Sequence, residues 1–126
     1  MTDTLPTPLE AAVLQEICRQ LSPQGRSALE AQIDCISVRY RKNTGAGFYT
    51  YFLMRGEPAR QIYDDTKVCT VTAKINGLRD ALGFILWLRD GYVDHLEGYT
   101  MALEGTSGMD LAALDFELSS PAGISN

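Results

Sequence analysis

Leu82-Gly83-Phe84-Ile85-Leu86-Trp87-Leu88-Arg89-Asp90-Gly91-Tyr92-Val93-Asp94-His95-Leu96 is the stretch on which the fold turns. Residues 82–88 are apolar almost throughout, and the run is too short for a buried helix between the turn residues that bound it. It reads as a central strand covered on both sides. Arg89-Asp90-Gly91 predicts a hairpin turn, a type I turn closed by a glycine bulge. That geometry sets Leu88 against Tyr92, Leu86 against Asp94 and Phe84 against Leu96. A two-residue turn would instead set His95 against Leu86, a polar ring on the core line. The following strand runs over about 92–102.

Working outward, Asn76-Gly77 is a strong turn signal. Before it, Cys69, Val71, Ala73 and Ile75 alternate with Thr70, Thr72 and Lys74, a strand with one buried and one wet face. Residues 55–66, with Gly56, Pro58 and Asp64-Asp65, read as a connection with room for one helical turn after Pro58. Farther back, Ile36, Val38 and Tyr40 alternate with Cys35, Ser37 and Arg39, and Asn43 to Gly47 forms a turn. Phe48 to Leu53 completes a hairpin over 34–54.

The N-terminal part changes period. Thr7-Pro8-Leu9-Glu10 is a capping box with proline at the first helical position. Leu9, Val13, Ile17 and Leu21 recur every fourth residue, which predicts a helix over 8–21. Ser22-Pro23 repeats the start signal for a shorter helix over 23–32. After Gly105-Thr106-Ser107-Gly108 a last short helix is expected, with Ser107 as cap and Leu111 and Leu114 inward. Residues 1–6 and 119–126 have the composition of frayed ends. The sum is a single α+β domain spanning 1–126, two N-terminal helices packed on one face of an antiparallel meander of about five strands.

Composition narrows the function classes. The chain has 126 residues, 45% of them hydrophobic, and a net charge of -5, so a nucleic-acid backbone is not an expected partner. No apolar run approaches the roughly 20 residues of a membrane span. The start Met1-Thr2-Asp3-Thr4 has neither a basic nor an apolar signal region, and Cys18, Cys35 and Cys69 have no zinc-type spacing. A cytoplasmic protein with reduced thiols and no cofactor is the expectation.

No constellation compels an enzyme. His95 and Glu97 share one side of their strand and, with Asp94 or Asp90, resemble a fragment of a metal or acid/base site, but a metal needs three or four ligands. Gly45-Ala46-Gly47 joins two strands and precedes no helix, so it is not a phosphate loop. The first hairpin is the stronger lead. Arg39, Arg41 and Lys42 enter its turn, and Tyr49 and Tyr51 leave it while Phe48 and Phe52 face the other way. Arginine and tyrosine are enriched at interfaces, since each joins a large apolar contact to a polar end. Residues 1–63 carry seven bases and six acids against four and ten in 64–126, so the charge is lopsided.

The stretch Gly83 to Thr100, an apolar strand, an Asp90-Gly91 turn and Leu96-Glu97-Gly98-Tyr99, resembles a hairpin near the C-terminus of a family of small uncharacterised bacterial proteins. Some of these sit beside polymorphic-toxin genes as immunity-type proteins. The resemblance implies no catalytic residues to carry over, in line with the absence of any reactive constellation. The leading expectation is therefore a non-enzymatic protein-binding module. Arg39, Arg41, Tyr49 and Tyr51 would meet the partner, with an acidic patch of Asp94, Glu97 and Glu104. A competing expectation is a small-molecule binder or enzyme, with a pocket between curved sheet and helices where Tyr40, Tyr99 and His95 converge. A third is a homo-oligomer joined through the aromatic face.

Overall fold

Thr7 starts the first helix, α1 (Pro8–Gln20), through the reciprocal pair that the sequence spells out. Its hydroxyl accepts from the Glu10 amide at 3.2 Å, and its own amide donates to the Glu10 carboxylate at 2.8 Å. The second helix, α2 (Pro23–Ile33), is capped by Ser22, whose hydroxyl accepts from the Gly25 amide at 3.1 Å. The Asp64 carboxylate accepts from both the Ser22 amide and hydroxyl at 2.8 Å, which sets a negative charge against the positive end of the helix dipole. The computed structural model describes residues 5–56, 60–101, 104–110 and 113–118.

Six strands follow: β1 (Ile36–Asn43), β2 (Gly47–Met54), β3 (Val71–Ile75), β4 (Leu82–Arg89), β5 (Tyr92–Thr100) and β6 (Phe116–Leu118). They form one sheet in the order β1-β2-β5-β4-β3-β6, every pairing antiparallel. The class is the expected one, two N-terminal helices on an antiparallel α+β sheet. The path is not that of a simple meander, because the chain leaves β2, crosses to the far side for β3, and returns through β4 to place β5 beside β2. Beyond β3 lies the sixth strand, three residues long, pairing Phe116 with Ile75. Residues 113–115 lead into that strand without helix, and Leu111 lies outside the described residues, as do Pro58 and residues 1–4 and 119–126.

The turn between β4 and β5 differs from the expected one. Asp90 and Gly91 have φ of 53° and 82°, a two-residue turn of left-handed geometry that pairs Arg89 with Tyr92. The extra residue sits later, at Asp94, between the pairs Leu88–Val93 and Trp87–His95. That bulge absorbs the shift, so Leu86 faces Leu96 and the core line stays apolar.

Leu14, Ile17 and Leu29 of the helices pack into the inner sheet face with Phe48, Val71, Leu86 and Leu96, all fully buried or nearly so. Gly98 is register partner to both Phe48 and Phe84. A Cβ there would lie 2.7 Å from the Phe48 ring, so the missing side chain is what lets that ring seat. Only the inner face is covered by helices; Ile85 and Trp87, expected to be covered on both sides of the sheet, are partly exposed on the other. Among the described residues no buried side-chain nitrogen or oxygen lacks a hydrogen-bond partner, and no helix is long and apolar enough to cross a membrane.

Candidate functional site

The outer sheet face is organised by two one-residue insertions. On β1, Val38 pairs with Phe52 and Tyr40 with Tyr51, which leaves Arg39 as the extra residue. On β5 the extra residue is Asp94, as described. Each insertion reverses the inward–outward alternation beyond it. Were Arg39 an ordinary strand residue, the alternation from buried Val38 would turn Tyr40 inward; were Asp94 one, the alternation from buried Val93 would do the same to His95. Both rings instead lie outside.

The result is a single transverse rung. Tyr40, Tyr51, His95 and Trp87 are consecutive register partners across β1, β2, β5 and β4. Tyr40 stacks on Tyr51 at 4.6 Å between centroids, Tyr51 lies 5.0 Å from His95, and His95 stacks on Trp87 at 5.8 Å. A 3-10 turn, Thr66–Val68, lies against β4, held by a Thr66 hydroxyl bond to the Leu86 carbonyl at 2.7 Å. It brings Lys67 Nζ to 5.3 Å from the centre of the Trp87 ring, closing one end of the rung with a cation. At the other end Tyr40 is 51% exposed. Tyr49 stands beside the rung, edge-on to His95 at 5.6 Å.

Two carboxylates flank the imidazole. Asp94 Oδ2 lies 2.7 Å from His95 Nδ1, and Glu97 Oε1 accepts from the Trp87 indole N–H at 3.0 Å. The Tyr51 phenol is pushed above the ordinary tyrosine range, first by desolvation, then by the neighbouring Tyr40 and Tyr49 and the charges of Asp94 and Glu97. Asp94 and Glu97 thus bring two carboxylates to the centre of this face.

No family model, curated protein or solved structure matches this chain.

The sequence-derived residues divide between two environments. Tyr49, Tyr51, Asp94 and Glu97 come together on the outer face, with Arg39 exposed at the bulge on its rim. Arg41 turns inward, because the same bulge shifts its phase, and forks onto the buried Glu10 carboxylate at 2.7 and 2.9 Å. Glu104 is not part of the acidic patch. It accepts from the Arg79 and Asp80 amides at 2.7 and 2.8 Å, beyond the end of β5 that lies about 20 Å from Asp94 at the usual strand rise.

The pocket expected between sheet and helices meets a filled interface: Val13, Leu14, Ala28, Leu29, Leu86 and Leu96 are each 0% exposed. Its expected lining lies elsewhere, with Tyr40 and His95 in the outer rung and Tyr99 over Gly83. Asp94, His95 and Glu97 do not converge as ligands; among the described residues no group of three or more His, Cys, Asp or Glu could hold a metal. A shallow cleft of about 380 Å³ does open where β2 and β5 part above the Tyr51–His95 pair, lined by Phe52, Met54, Tyr92 and Val93 with Arg89, Asp90 and Asp94.

Sequence reasoning missed Trp87, Tyr40 and Lys67 as members of this face. Trp87 sits inside an apolar run that reads as core, and Tyr40 alternates with Ile36 and Val38 until the bulge breaks the period. The Tyr49/Tyr51 spacing against Phe48/Phe52, together with His95 and Glu97 on one side of their strand, marked the face in advance.

Proposed function

We propose that this protein is a non-enzymatic binding module that docks another protein on the outer face of its sheet, along the Tyr40–Tyr51–His95–Trp87 rung. The observation that carries the reading is the pair of bulges. Two separate insertions, at Arg39 and Asp94, are accommodated as bulges, so that Tyr40 and His95 stay outward in one continuous aromatic row on the face without helices. Bulges commonly re-aim side chains where a protein meets its ligand. A row of tyrosine, histidine and tryptophan offers the rigid, amphipathic contact area that dominates interface energetics. The β1–β2 hairpin supplies Tyr40, Tyr49 and Tyr51, with Arg39 and Lys42 on its rim. The resemblance of the second hairpin to immunity-type proteins makes a toxin the first partner class to test.

The test compares capture from a lysate of the source organism by wild type, Tyr40→Glu, Leu53→Glu and Tyr63→Glu proteins. Tyr40 and Leu53 are half-exposed on the outer face, and Tyr63 is 78% exposed in the 60–70 connection, so all three variants should fold. One stoichiometric partner, kept by Tyr63→Glu and lost by the other two, is the expected result. A partner retained by all three, or none recovered by wild type, overturns the reading. Sedimentation at two concentrations separates a true partner from a second copy of the chain.

A further inference from the structure

The charges on the outer face are unevenly distributed. Asp94 and Glu97 stand at its centre on β5, while Arg39 and Lys42 on β1, and Lys67 and Arg89 on the opposite side, stand around it. From this arrangement we infer that the docking partner inserts an arginine side chain at the centre of the face, between Tyr49 and the Asp94/Glu97 carboxylates. The inference rests on the docking reading above and names the chemistry of its central contact.

Three features select a guanidinium. Glu97 is the direct register partner of Tyr49, so a carboxylate and an aromatic ring are cross-strand neighbours on one face. Glu97 is oriented by the Trp87 indole through Oε1, and Asp94 by His95 through Oδ2; among the described residues neither carboxylate pairs with an arginine or lysine. A guanidinium forks onto a carboxylate and stacks on a ring at once; an ammonium offers neither the plane nor the fork. One end of the rung already carries a cation, since Lys67 lies over Trp87. The raised Tyr51 phenol agrees with two carboxylates at the centre. The surrounding bases make the complement specific, because a uniformly basic partner would meet Arg39, Lys42, Lys67 and Arg89.

The experiment titrates the full chain with N-acetyl-arginine amide, N-acetyl-lysine amide and N-acetyl-citrulline amide, following amide and indole resonances by NMR. Saturable shifts are expected at Trp87 Nε1–H and at residues 94–97 with the arginine probe, larger than with lysine and absent with citrulline. Asp94→Asn and Glu97→Gln should each weaken the arginine response at least threefold while leaving the rest of the spectrum in place. Equal response to lysine, shifts scattered over acidic residues elsewhere, or indifference to both variants overturns the inference. The same two variants, used in the capture experiment, separate the claims. A partner lost with Tyr40→Glu but kept by both carboxylate variants preserves the docking face and removes the arginine.

Discussion

Glu10 and Arg41, thirty-one positions apart, form a two-point ion pair that joins the first turn of α1 to β1. The same carboxylate accepts from the Thr7 amide and from the Thr50 hydroxyl, so one buried acid caps a helix and binds two strands. Its hydrogen bonds to Arg41 raise that guanidinium's already high pKa. Arg41→Ala would leave Glu10, 1% exposed, without its counter-charge. The expected loss is about 3–5 kcal/mol of unfolding free energy, read from urea denaturation at neutral pH. A loss within ~0.5 kcal/mol, the range for surface substitutions, would mean that the pair does not persist in solution.

Gln32 does comparable work for α2. Fully buried, its amide donates to the Arg60 and Gly91 carbonyls and accepts from the Val93 amide, clamping the β4–β5 turn to the helix. Gln32→Leu keeps the volume and orphans Val93 N–H and Arg60 C=O, since Gly91 retains the Ile62 amide. The expected cost is roughly 2–4 kcal/mol, with hydrogen exchange at Val93 accelerated more than at the helix amides.

Gly98→Ala tests the packing of the inner face. The added methyl would meet the Phe48 ring at 2.7 Å, and Phe48 has no space to retreat at 2% exposure. Overpacking of this kind costs about 1–3 kcal/mol, so thermal melting should drop by several degrees with the circular-dichroism spectrum unchanged.

Burial pushes the Cys18 thiol up to about 11 from an ordinary 9.0, with Glu30 adding to the rise and Arg26 opposing it. A raised thiol contributes stability that is whole below pH 9 and is lost as pH climbs through about 11, because only the unfolded chain releases its proton early. Alkaline denaturation should therefore steepen between those values in wild type and flatten in Cys18→Ala. At pH 8, iodoacetamide should label Cys35 well before Cys18, as followed by mass spectrometry.

Acid acts on the opposite side. The amides of Arg79 and Asp80 hold the Glu104 carboxyl below its ordinary range. A depressed carboxyl contributes stability above its unfolded pKa and loses it as pH falls through the folded one. Glu104→Gln should flatten the acid limb of the stability curve below about pH 4.3, the unfolded glutamate value, and leave the alkaline limb as it was.

What could be read in advance follows from how locally each feature is encoded. Both helix starts rest on contacts within four residues, Thr7 with Glu10 and Ser22 with Gly25, and both are legible. The pairing of β2 with β5 depends on the chain crossing between β2 and β3, which no local pattern announces. The two bulges are hidden for a different reason. Arg39 and Asp94 are ordinary polar residues in alternating strands, and only the partner strand reveals that each has nothing opposite. The bulge at Arg39 hid Tyr40 and the apolar run hid Trp87, so half of the rung was invisible, while Tyr51, on a regular strand, and His95, beside Glu97, were legible on the outer side. Arg41 shows the converse error, a base read as surface that its bulge directs to Glu10.

Asp94 has one further property. Because β5 counts one residue more than β4 over the same span, deleting Asp94 would leave Leu88 opposite Val93, Trp87 opposite His95 and Leu86 opposite Leu96. The ladder can thus shed this position without losing its place, a tolerance to shortening not shared by the turn at Asp90-Gly91. What such a deletion would change is the divergence of β2 from β5 and the carboxylate beside the imidazole. The residue is surplus to the hairpin's pairing, and lineages that kept or dropped it would differ in the shape of their outer surface more than in their fold.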